Sequence, residues 1–175
     1  SGNYSLSWWN GSDTYPPPFN DLSLFHAHGE IQDYNDPEQY LGELFGLDDL
    51  KTESPAVRNI LEDAYAQLIV DTDCDGFRID TVKHVEFDFW PEVSAGTRSG
   101  AALEGKNSFL LMGEVFDGWP PKVGSYTGTM GGPVYALNSV TWFPMTFPAR
   151  WVFSGDGAPG VFQAVMADSI HYDPS

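Results

Sequence analysis

The sequence predicts an α/β protein with a parallel sheet, and three observations carry that reading. One apolar stripe of helical period runs over about residues 55–70 and stops at the turn-forming cluster "DTDCDG". Two runs of strand period, "GFRID" at 76–80 and "FLLMGEV" at 109–115, are separated by a stretch long enough for a crossover, which parallel neighbours require. Helix, strand, crossover, strand, loop, strand, helix is also the order in which a parallel α/β layer is built.

Residues 1–53 show neither period. "WWNGSDTYPPPFND" is dense in the residues that turn and break regular structure, and "FHAHGEIQDYNDPEQY" is polar with scattered aromatics. A loop this long inside a compact domain is usually functional when it is ordered. The character changes at Ser54-Pro55, where Ser suits a helix N-cap and Pro the first helical position. Val57, Ile60, Leu61, Ala64, Leu68 and Ile69 then recur at helical spacing.

In "GFRID" a period of two sets Phe77 and Ile79 on one face, Arg78 and Asp80 on the other. In "FLLMGEV" it sets Leu111, Gly113 and Val115 against Leu110, Met112 and Glu114. "FDFWPEVSAGTRSGAALEGKN" between them predicts a crossover with a short helix. A third strand is predicted in "NSVTWFPM", residues 138–145, after the Gly-rich "GSYTGTMGGP". A last helix over about 158–170 carries Val161, Phe162, Val165 and Met166.

Composition narrows the class of partner. With 175 residues, 42% hydrophobic and 15% aromatic, the chain has material for one ordinary core. Its net charge of −17, from 25 acids against 8 bases, repels nucleic-acid phosphate and anionic lipid. Neutral or cationic partners and hard metal ions remain. The single cysteine, Cys74, excludes an internal disulfide and a thiolate metal cluster. No window approaches the run of about 20 apolar residues that a spanning helix needs. "SGNYSLSWWNGSDTYPPPF" has no basic start or apolar stretch of the signal-peptide kind, which leaves the compartment, secretion included, open.

In parallel α/β folds, function collects outside the carboxyl ends of the strands. Asp80 closes one predicted strand and Glu114 nearly closes the next, so adjacent parallel strands would bring the two within several ångströms. Carboxylates about 5–5.5 Å apart suit retaining glycoside hydrolysis, one as nucleophile and the other as general acid/base. That chemistry needs unlike protonation states. Arg78, on the face of Asp80, is placed to hold it ionised, while Glu114 among apolar neighbours and facing an anion would keep its proton longer. From spacing alone, Arg78 and Asp80 also read as a structural ion pair, Glu114 as a solvated strand end, and Lys83-His84 as the start of a polar loop.

"GFRIDTVKH" and "GEVFDG" together resemble two signature regions of the α-amylase family, glycoside hydrolase family 13. "GLDDLKTE", residues 46–53, resembles the short signature near the end of that family's domain B, and "PPPFNDLSLFHAHGEIQDYND" is similar to domain B sequence. The resemblance covers roughly residues 16–153 and implies a (β/α)8 TIM barrel acting on α-linked glucans. It implies Asp80 as nucleophile, Glu114 as general acid/base, Arg78 as the residue that positions Asp80, and Lys83 and His84 in the subsites for the leaving sugar. It also implies calcium, with a carboxylate oxygen from Asp49 and the backbone carbonyl of His84; a further acidic ligand of some members falls on Leu41, with Glu43 the nearest acid. Trp8, Trp9, Trp119 and Trp142 are candidate stacking surfaces for sugar rings.

The family's earlier strand motif, with an Asn and a His, and its later His-Asp motif do not occur in the sequence. A full barrel needs about 250 residues and eight strands. The expectation is therefore an internal piece of a catalytic domain, a domain B-like segment over 1–53 and about three βα units over 54–175, partnered by the remainder of the barrel. Such a piece exposes sheet edges and apolar faces, and alone should have little or no hydrolase activity. A glucanotransferase, a sugar isomerase, a non-catalytic relative serving as scaffold, and a plain sugar-binding module are the alternatives.

Overall fold

The computed structural model describes residues 17–34, 37–130, 132 and 135–172. Its centre is a sheet of β1 (Gly76–Ile79), β2 (Leu110–Gly113) and β3 (Ser139–Val140) in the order β1-β2-β3. Both pairings are parallel, and Gly76 aligns with Leu110 and Ile79 with Gly113. That register lets the next residue of each strand, Asp80 and Glu114, leave the sheet side by side. The predicted parallel α/β class is what forms, as an open sheet whose outer strands β1 and β3 are both edges among the described residues.

Helix α1 (Glu38–Leu41) is a single turn, and α2 (Pro55–Thr72) leads into β1. Ser54 stands at the N-cap in extended conformation with Pro at the first turn, but its side chain makes no capping hydrogen bond. Asp73, left-handed, ends the helix through its N–H to the Ile69 carbonyl. The apolar stripe of α2 differs from the predicted one. Val57 and Ile69 are fully buried and Leu61 packs on the core, but Leu68 is 45% exposed and the buried face passes instead through Arg58. The crossover between β1 and β2 holds α3 (Phe89–Leu103), 15 residues and not short. Phe89, Trp90, Val93 and Ala101 of α3 join Ile69, Leu111 and Val115 in one core.

Past β2 the sequence was less transparent. Helix α4 (Pro120–Gly124) follows the strand, and β3 has two residues where eight were predicted. Pro144, which has no N–H for a ladder, sits in a 3-10 turn at Phe143–Met145. Helix α5 (Thr146–Phe153) was not anticipated. Its Pro148 falls in the first turn, where the missing N–H has no helical partner to lose. Helix α6 (Val161–Ala167) and a 3-10 turn at Asp168–His171 replace the single last helix. No helix among the described residues is long and apolar enough to cross a membrane.

The described part of the segment before α2 is mostly irregular, as its composition predicts, but cross-braced. Phe25 bridges Leu50 and Glu30 bridges Glu43, with backbone hydrogen bonds from His26 N–H to Asp49 O (2.8 Å) and Lys51 N–H to Leu24 O (2.9 Å). Arg58 fastens it to the helices. Its Nε donates to the Thr52 carbonyl at 2.7 Å, its guanidinium pairs with Glu92 and Asp88, and its plane lies 5.6 Å from the Phe89 ring centre. Arg58 is 6% exposed whereas both carboxylates are largely exposed, so its removal leaves no buried charge behind. Arg58→Ala is expected to lower unfolding free energy by about 2–3 kcal/mol, from lost charge-assisted hydrogen bonds and stem packing. Arg58→Lys should recover only part of this in urea or thermal unfolding, because an ammonium cannot reproduce the fork.

Candidate active site

Strand pairing brings the two carboxyl groups together. Glu114 N–H donates to the Ile79 carbonyl at 2.7 Å, and Val82 N–H donates to the Glu114 carbonyl at 3.0 Å. The backbone just past β1 is thus bonded on both sides to the residue just past β2. Gly113 permits this closeness, since a Cβ there would lie 2.8 Å from Leu137 and 2.9 Å from Val82. Phe77, facing the helices, packs its ring edgewise on Phe109 at 4.9 Å, which leaves Arg78 and Asp80 on the opposite, open face.

On that face Arg78 lies between the acids. Its Nη1 is 3.2 Å from Asp80 Oδ2 and its Nη2 donates to Glu114 Oε2 at 2.8 Å. Each carboxyl also acts on the other's protonation, in opposite directions. Asp80 is held below the usual carboxylate range by the hydrogen bond from Glu114, then by Arg78 and the Thr81 N–H. Glu114 is raised by its hydrogen bond to Asp80, then by partial burial and the Asp80 charge, against the pull of Arg78. One group is ionised where the other keeps a proton.

A groove of about 430 Å³ opens on the Glu114 side, lined by Lys83, His84, Thr81, Tyr34, Phe45 and Phe116 among others. Lys83 lies 3.7 Å from Asp117 and 6.0 Å from the centre of the Phe116 ring. The His84 ring meets Tyr34 edge-on at 6.1 Å, and burial, then Lys83, keep the imidazole neutral to lower pH than usual. The sequence-predicted Arg78, Asp80, Lys83, His84 and Glu114 therefore gather at one strand-end site. Phe45, 83% exposed with φ 54°, and Phe116, 67% exposed, were missed. Phe116 stands inside the quoted "GEVFDG"; Phe45 beside Gly46 gave no periodic signal. Trp119 is exposed on the loop after β2, Trp142 is half-buried beside Tyr172, and Trp8 and Trp9 lie outside the described residues.

Asp49 belongs to a different cluster. Its Oδ2 lies 2.6 Å from Nδ1 of the buried His26, whose Nε2 is 3.1 Å from Glu53. No group of three or more His, Cys, Asp or Glu able to hold a metal occurs among the described residues. Calcium takes six to eight oxygen ligands. Asp49 and the His84 carbonyl by themselves supply two of these.

Residues 6–129 match the family model described as alpha amylase, catalytic domain. The chain is similar to an alpha-amylase of Streptomyces lividans, 34% identical over 157 residues, which is 90% of this chain and 16% of the relative. Among solved structures it superposes on an Anoxybacillus alpha-amylase with a TM-score of 0.75 at 32% identity, covering 91% of this chain and 34% of the other. It also superposes on a cyclomaltodextrin glucanotransferase of three-domain ABC distribution, with a TM-score of 0.70 at 26% identity, covering 88% and 30%. The chain thus spans about a third or less of each of these proteins.

Proposed function

The chain belongs to the alpha-amylase family, and on that premise we propose that it carries the nucleophile and the acid/base of a retaining glycoside hydrolase acting on α-linked glucans. The observation that supports this is the Asp80–Glu114 pair, brought to one point by adjacent strand ends and bridged by Arg78. In this reading the three-stranded sheet is a sector of a (β/α)8 barrel covering 54–175, and residues 1–53 belong to the domain B-like excursion.

The Asp80 carboxylate attacks the anomeric carbon while Glu114 gives its proton to the departing glycosidic oxygen. Glu114, now ionised, takes a proton from water, which displaces Asp80 and leaves the anomeric configuration unchanged. Arg78 keeps Asp80 anionic and aimed. Lys83 and His84, with the walls Phe45 and Phe116, receive the leaving sugar. Calcium, implied through Asp49 and the His84 carbonyl, needs donors beyond those described, and no step runs through it.

The test is the anomer first released from a malto-oligosaccharide by the complete protein, followed by NMR. The α-anomer supports the proposal; the β-anomer excludes a covalent Asp80 intermediate. A second reading, transfer to an acceptor sugar in place of water, draws on the two exposed aromatic walls and the similarity to a glucanotransferase. Elongated or cyclic products in the same experiment distinguish it.

Arg78 lowers the proton affinity of both acids. Arg78→Met is therefore expected to move both limbs of the pH–kcat profile to higher pH, because Asp80 ionises later and Glu114 holds its proton longer. Limbs that stay in place would remove Arg78 from the tuning of the pair.

A further inference from the structure

We propose that Thr81 is a positioning residue: its left-handed backbone turns the chain out of β1 so that its own N–H meets the Asp80 carboxylate and the next N–H meets the Glu114 backbone carbonyl. The proposal rests on reading Asp80 and Glu114 as the reacting pair. Thr81 has φ 50° and ψ 33°. A β-branched residue at positive φ is an outlier, and such conformations persist where the surroundings over-determine them, often at functional sites. Its side chain is not what imposes the turn, since it makes no capping hydrogen bond to the 3-10 turn Val82–His84 that follows.

The backbone does the fixing. Thr81 N–H donates to Asp80 Oδ1 at 3.0 Å, Val82 N–H donates to the Glu114 carbonyl at 3.0 Å, and the Thr81 carbonyl accepts from His84 N–H at 2.9 Å. Val82 is fully buried in the core, so the chain must turn sharply within one residue of Asp80. Were Thr81 extended, β1 would run on past Glu114. The Asp80 carboxylate would then lose its backbone donor and its depth relative to Glu114. The restriction carried by a Cβ at this position narrows the directions in which the Thr81 N–H points, and the turn fixes how deep Asp80 stands.

The experiment compares Thr81→Gly and Thr81→Asn in the complete protein, with Asp80→Asn alongside. Glycine accepts positive φ without strain but admits many other conformations. The expected result is a melting temperature equal to or above the parent's, KM within about twofold, and kcat lower by about tenfold, the loss given by a small misplacement of reacting groups. Asn, which tolerates the left-handed region, should return kcat to within about threefold of the parent. A glycine variant at full kcat overturns the proposal, as does an Asn variant that folds normally yet turns over no faster than glycine. If the glycine variant melts early, the Asn variant decides alone, by keeping kcat or losing it. Full turnover by Asp80→Asn would instead sink the reading of the acid pair; an inactive Asp80→Asn beside a fully active Thr81→Gly removes only the role given to Thr81.

Discussion

Asp80→Asn is expected to stop turnover and leave sugar binding in place. The amide matches the carboxylate in shape, and its oxygen can still accept from the Thr81 N–H while its nitrogen takes the place of the oxygen that faced Arg78, so the backbone of the strand end should keep its geometry. It cannot form the glycosyl ester. Loss of a covalent nucleophile costs kcat on the order of 10⁴–10⁶ where comparable machinery has been dismantled. The measurement pairs kcat on a malto-oligosaccharide with the dissociation constant of the same sugar by calorimetry. A collapse of kcat with binding changed by no more than a few-fold is the predicted result. Turnover near the parent's would remove Asp80 from the chemistry, and a matching collapse of binding would make its role structural.

Glu114→Gln should cost less overall and should cost it selectively. General acid–base assistance contributes about 10²–10⁴-fold, so hydrolysis of an unactivated α-glucan is expected to fall by that amount. Glutamine is uncharged and cannot deliver the proton, although Arg78 and the neighbouring backbone still surround it. A fluoride or dinitrophenyl leaving group needs no proton, and with such a substrate the first step should be nearly spared. Accumulation of glycosyl-enzyme should then show as a burst, and added azide, which needs no general base, should speed its breakdown. Equal losses on activated and unactivated substrates would deny Glu114 the acid role. The high-pH limb of the profile should also disappear, because that limb is the loss of the Glu114 proton.

The parts of the site on or just past the strands were legible in the sequence. Period-two alternation put Arg78 and Asp80 on one face, and adjacency of the two strands gave their meeting with Glu114; the register realises both. What escaped reading depends on contacts distant in sequence. Phe45 is brought to the groove by a segment with no period, and Thr81 is forced left-handed by the burial of Val82, which no local propensity reveals. The same holds for the fold. Helix α2 was visible in its spacing, but its buried face shifted because Arg58 found partners on α3 and on the preceding loop. Helix α5 was hidden by a proline whose position in the first turn made it harmless.

The loop after β1 supplies Lys83 and the loop after β2 supplies Asp117, and the two side chains meet, both largely buried, beside the Phe116 ring. Asp117 also accepts the Trp119 N–H at 2.9 Å, so the second loop is folded around the residue that anchors the first. Diversification of this strand-end face therefore has a built-in unit of exchange. Grafting either loop alone from a relative leaves a lysine without its anion or an acid without its cation, whereas the two loops transplanted as a pair carry their own fastening with them.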